Sequence, residues 1–259
     1  MRRKSRRLEF GFAVAWVAVG LISGLFWLRS QEEETQTLPE PIAFTQTQEL
    51  SPVSESAEEQ VSAQVSVVQK EEPASINLAV PFTSQAPFAN WDLPYQEACE
   101  EASILMVNWY YLGVEQVSAE EADRAILDLV AFEEAHGFPM DLTAEELAEL
   151  IGEYFGFSRV DILEDPTVEL LQSHLAQGQP VIVPAAGRLL ENPYFRSPGP
   201  IYHMLVLRGY TEDQFVTNDP GTRHGEAYLY SFDVVMSAMH DWNGGAVEEG
   251  AKHALVIYP

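Results

Sequence analysis

Apolar residues fall along this chain in three regimes. From Phe10 to Leu28 they run for 19 residues without a charge. From about residue 31 to 75 they keep neither a helical nor an alternating period. From Ile76 onward they switch between helical spacing and short runs, the pattern of packed helices and strands. Ile76 to Pro81 predicts a strand leading in. Ala102, Leu105, Met106, Trp109 and Tyr110 predict a helix that starts near Cys99, runs to about Leu112 and stops at Gly113. Ser118 with Glu121, and Thr143 with Glu146, are capping boxes. They predict helices from Ala119 to about Glu134 and from Ala144 to Phe155, the latter closed by Gly156. Thr167 caps a fourth helix, to Ala176.

The second half reads differently. Arg159–Leu163, Val181–Val183, His203–Tyr210, Gln214–Asn218, Ala227–Tyr230 and Lys252–Tyr258 are strand candidates, with a long loop over 184–200 and a helix from Phe232 to Trp242. The turn Thr211-Glu212-Asp213 makes a hairpin of the third and fourth of these. Helices first and antiparallel strands later predict an α+β domain over 76–259, a helical half packed on a sheet half.

The unbroken apolar span changes the picture of where that domain lives. At 1.5 Å per residue, 10–28 reaches roughly 28 Å, about one hydrocarbon core. A basic segment, residues 1–9, precedes it with Arg2, Arg3, Lys4, Arg6 and Arg7. The positive-inside rule puts that end in the cytoplasm and the rest outside the cell membrane. A retained single-pass signal anchor is favoured over a cleaved signal peptide, because Phe26, Trp27 and Leu28 occupy the exit where small residues would be needed. Residues 29–75 carry ten Glu against Arg29 and Lys70. That composition cannot bury enough surface to offset chain entropy, and predicts a disordered acidic tether. The formal net charge of −26 argues against a nucleic-acid partner.

The chain has one cysteine and six histidines. No histidine has metal-ligand spacing to the cysteine, another histidine or a carboxylate, so no metal and no cofactor are expected. Cys99 at a helix start is the layout of a thiol nucleophile, with the dipole favouring thiolate. His203 opens a strong strand beside the long loop, where an imidazole is held rigidly yet stays accessible. Asn218 and Asp219 end the next strand of the hairpin, which brings one of them beside His203. An oxyanion donor beyond the Cys99 N–H is expected from Gln85 or Gln96; Gln96, three residues before the thiol, is the less favoured. Glu100 and Glu101 suit the dipole but raise a nearby thiol, and Arg223 is the sequence candidate to offset them.

Together the runs Val80-Pro81-Phe82-Thr83-Ser84-Gln85, Ala98-Cys99-Glu100-Glu101-Ala102-Ser103, Tyr202-His203-Met204-Leu205-Val206 and Asn218-Asp219-Pro220-Gly221-Thr222 resemble bacterial papain-like cysteine peptidases. The chain is similar to the group related to bacteriocin-processing, double-glycine leader peptidases. The resemblance implies a papain-like fold with Cys99 as nucleophile, His203 as base, Asp219 as its orienter and Gln85 in the oxyanion hole. It also implies a peptide or cell-envelope amide as substrate. Many relatives have Gly where this chain has Glu100, and no transporter domain is present. The competing readings are a catalytically silent binding module on the cell surface and a peptidyl or acyl transferase with the same triad.

Overall fold

The computed structural model describes residues 37–45 and 72–259. The basic segment, the 10–28 span and most of the tether lie outside them. Among the described residues no helix is long and apolar enough to cross a membrane. Pro39–Pro259 forms one compact unit; of the other, Met1–Leu38, only the last two residues are described.

The unit is α+β, as the pattern predicts. Helix α1 is Cys99–Tyr111, α2 Ala119–His136, α3 Ala144–Phe155, α4 Val168–Ala176 and α5 Phe232–Ala238. Both capping boxes form, with Ser118 and Thr143 accepting from the N–H three residues on, and Gly137 and Gly156 end their helices at positive φ. The strands are β1 Ile76–Asn77, β2 Arg159–Glu164, β3 Val181–Ala186, β4 Tyr202–Tyr210, β5 Gln214–Asn218, β6 Tyr228–Ser231 and β7 His253–Tyr258. They form one antiparallel sheet in the order β2-β7-β3-β4-β5-β6, with β1 added to the far end of β4. Helix α5 stops four residues earlier than its apolar pattern suggests. Met239 leaves the helix to bridge Ala185, and the His240 N–H goes to the Pro184 carbonyl, so pairing to β3 replaces the last helical turn.

Strands β3 and β4 are buried at every position, so both faces of the sheet are covered there. Helix α1 packs on β4 and is itself buried nearly all round. An α-helix with no solvated face sits at the centre of a domain. The first turn of α1 therefore meets the first residues of β4 in the middle of the molecule.

At the other end of β4, Arg208 fixes the entering chain. Its Nε donates to Asn77 Oδ1 and the Leu78 carbonyl, and its Nη1 to Asn218 Oδ1. Asn218 Nδ2 donates in turn to the Val80 and Pro81 carbonyls. This polar clasp delivers the 82–85 segment to the end of β5.

The tether is not uniformly free of structure. Ile42 pairs in parallel with Leu78, through main-chain bonds to Asn77 and Ala79, and the Phe44 ring lies 5.6 and 5.0 Å from those of Tyr110 and Tyr111. The expectation of a disordered 29–75 is corrected for 39–45. A composition averaged over the whole stretch hides the short apolar island Ile42-Ala43-Phe44, and the open edge of β1 offers it main-chain partners.

Candidate active site

Cys99 is the first residue of α1, reached through the single 3-10 turn Tyr95–Glu97. The thiol is 5% exposed. It takes the Met204 N–H, and so lies against the start of β4, where His203 stands. His203 Nε2 is 2.8 Å from Asp219 Oδ1, both side chains being buried. That bond leaves Nδ1 as the nitrogen able to exchange a proton with a thiol. The edge of the imidazole meets the Phe195 ring, at a centroid distance of 5.2 Å.

The hairpin explains why Asp219 and not Asn218 orients the ring. Successive side chains on a strand point to opposite faces. Asn218 is turned to the Arg208 clasp, whereas Asp219 turns to His203. Its carboxylate is fully engaged. Oδ1 also accepts from the Gly221 N–H, and Oδ2 accepts from Tyr230 Oη at 2.6 Å and Asn192 Nδ2 at 3.0 Å. Burial alone would raise this carboxyl, but the His203 charge and bond, with those of Tyr230 and Gly221, hold it below its ordinary value. Asn192 and Tyr230 are site residues that the sequence did not reveal. One lies in the long loop and the other on a short half-buried strand, and neither carries a motif.

The glutamines separate. The Gln85 N–H bonds to the Pro220 carbonyl, beside Asp219. Its Nε2 donates both protons to main-chain carbonyls, of Tyr95 and Gln96, and its buried Oε1 has no donor among the described residues. Gln85 is thus placed under the turn that leads into Cys99, with its amide occupied. Gln96 is exposed and bonds to Glu97.

The electrostatics correct one expectation. The thiol pKa is pushed well up, by burial first, then by the charge and hydrogen bond of Glu100 and the charge of Glu101. Cys99 Sγ is 2.9 Å from Glu100 Oε2. A helix dipole contributes about 0.3–1 kcal/mol, whereas full burial moves a pKa by up to several units, so burial and the carboxylate win over the helix start. Burial also raises Glu100, to about 8. Arg223 does not offset them; it is exposed and bonded to His224.

A second histidine, His253, also has carboxylate company. Among the described residues, Glu145, Asp241 and His253 bring one ligand atom each within 4.8 Å of one another. Sequence spacing did not anticipate the group, because its members come from three separate elements. Asp241 already accepts from the Ala144 and Trp242 N–H groups and pairs with His253 Nδ1. It caps the start of α3, where the positive end of the dipole opposes a cation.

Gly221 shows how closely the imidazole is held. A Cβ there would stand 2.8 Å from both His203 Cε1 and Phe195 Cε1. Gly221→Ala is therefore expected to push the ring off Asp219. If His203 acts in turnover, kcat falls by about tenfold or more, since small misplacements of a reacting group are costly. The melting temperature should move by only a few degrees. Steady-state kinetics beside thermal denaturation check this, and an unchanged kcat would show that the ring position is not critical.

Beside Asn192 and Phe195 opens a cavity of about 300 Å³, walled by the 187–199 loop. The cavity reaches the site through Asn192 and Phe195, the partners of Asp219 and His203, and not through Cys99 itself.

The Peptidase_C39 like family matches residues 77–244, which include all four motif runs. A solved structure of a candidate C39-like peptidase from Bacillus anthracis is 16% identical. The match covers 71% of this chain and 98% of that one, with a TM-score of 0.47. No curated protein matches. By the family match, the chain belongs to the Peptidase_C39 like family of papain-like, cysteine peptidase-like hydrolases.

Proposed function

We propose that this chain is a membrane-anchored, outward-facing thiol peptidase that cleaves a peptide or cell-envelope amide through a thioester. The observation that carries the reading is the buried His203–Asp219 pair beside the single cysteine at a helix start. In the first step the Cys99 proton passes to His203 Nδ1, and sulfur attacks the scissile carbonyl carbon. The oxyanion takes the Cys99 N–H, together with a Gln85 proton released from one of its two carbonyl partners. The C–N bond then breaks, and the imidazolium gives its proton to the leaving amine. Water, deprotonated by His203, attacks the thioester, and cleavage of the C–S bond returns the thiol. Asp219 stays ionised throughout and stabilises the imidazolium. The anchor rests on the apolar span 10–28 and its basic flank.

One observation favours a second reading. A thiol bonded to Glu100 and kept protonated suits a silent binding module. A peptide vinyl sulfone separates the two, because it alkylates only a thiolate with a peptide lying across it. Mass spectrometry is expected to map the adduct to Cys99, and His203→Ala should lose it. A correctly folded chain that forms no adduct between pH 5 and 10 sinks the peptidase in favour of the module. Protease added to intact cells should release the domain; a mature form in the medium beginning near residue 30 would replace the anchor with a signal peptide.

A further inference from the structure

On the helical side of α1 lies a second cavity, of about 630 Å³. Its rim is apolar and open: Leu93 is 58% exposed and Met140 61%. Its floor is acidic, formed by Glu101 of α1 and Glu133 of α2, only 5% and 7% exposed. Glu97 and Glu134 line it as well, and neither Lys nor Arg is among its lining residues. Each floor carboxyl keeps a buried oxygen, Glu101 Oε2 and Glu133 Oε1, to which no donor of the described residues is directed. The two carboxyls are close enough to be joined by one shared proton. Apart from each other these two oxygens have no partner among the described residues, so the buried pair is satisfied more fully by a ligand that supplies donors to both.

We propose that this cavity receives the cationic end of an arginine or lysine side chain on the peptide substrate. This rests on the peptidase reading: the rim residues Leu93, Pro94 and Glu97 belong to the segment that leads into Cys99, and the proposal is that a peptide at the thiol extends along that segment. The apolar walls fit the methylene stem of such a side chain. The floor fits its head, since a guanidinium can give each carboxyl a charge-assisted hydrogen bond. A metal ion fits less well, because no three carboxylates of this cavity converge within ligand distance.

A bound cation would also displace the shared proton. Burial and the neighbouring carboxylates, Glu133 and Glu100, raise Glu101, and burial raises Glu133 to about 7. The charged groups facing the pair are Glu97 and Glu134 in the cavity and Glu100 on α1. All are acidic, so protonation at lower pH works against the cation, and affinity should fall as pH drops below 7.

The test uses the full chain carrying Cys99→Ala, so that nothing is turned over. Calorimetry compares a short acetylated peptide containing one arginine with the same peptide containing citrulline, which has nearly the same shape and no charge. The arginine peptide is expected to bind about tenfold or more tightly, and Glu101→Gln with Glu133→Gln should erase the difference. Equal affinities on the Cys99→Ala chain overturn the pocket without any further variant. So does an arginine preference that survives both glutamines. Binding is read without cleavage. A missing preference alongside active hydrolysis therefore removes the pocket alone, and a preserved preference in a chain that never cleaves removes the peptidase reading and the substrate role with it.

Discussion

Alanine in place of either Cys99 or His203 is expected to abolish peptide hydrolysis, and the double variant to be no worse than either. Groups that act as one unit show this non-additivity: without the thiolate, its base has nothing to activate. Asp219→Ala should keep measurable turnover, about ten- to a hundredfold above the Cys99 variant, because the carboxylate orients and stabilises the imidazolium without bonding to substrate. A fluorogenic peptide assay with circular dichroism as a folding control reads all four proteins. If the losses from Cys99→Ala and His203→Ala multiply in the double variant, the two side chains do not work together.

Glu100→Gln is expected to make the thiol more reactive. In the parent chain burial and the Glu100 carboxylate hold the Cys99 pKa above its ordinary value, so thiolate is scarce near neutrality. The amide removes the charge that Glu100, raised to about 8, carries at higher pH; it keeps nearly the same shape and can still accept the Leu142 N–H that Glu100 now receives. The thiol pKa then falls, and the pH profile of iodoacetamide alkylation moves to lower pH. A fall of one unit means about tenfold faster alkylation at pH 9, where Glu100 of the parent is ionised and the thiol is not. A profile identical to that of the parent would mean that burial alone controls the thiol and the Glu100 contact is incidental.

Much of this architecture could be read along the chain. The capping boxes at Ser118 and Thr143 placed two helix starts, because a cap depends only on residues three apart. Hairpin geometry brought Asn218 or Asp219 beside His203 without choosing between them, and it did not foresee the register shift between Leu207 and Gly209. What escaped depends on contacts with no local signature. Asn192 and Tyr230 reach Asp219 from 27 and 11 residues away, across a loop and a neighbouring strand. The state of the Cys99 thiol depends on how deeply α1 is buried, which α1's own sequence does not reveal. The amides of Gln85 and Gln96 differ only because one faces inward onto main-chain carbonyls and the other faces solvent.

The crowding around Asp219 limits how this site can drift. Two donors meet Oδ2, Tyr230 Oη and Asn192 Nδ2, and Tyr230 also accepts from Asn192. An asparagine at 219 could keep its oxygen towards His203 and Gly221, but its NH₂ would then face both donors. The Tyr230 hydroxyl can rotate to accept. The Asn192 amide cannot turn without withdrawing the oxygen that takes the Tyr194 N–H. Position 219 is therefore not free to exchange carboxylate for amide by itself. The change becomes tolerable when position 192 becomes Asp in the same lineage, which moves the negative charge across the bond and restores the match of donors to acceptors. Among relatives that keep Tyr230, residues 192 and 219 should vary as a pair.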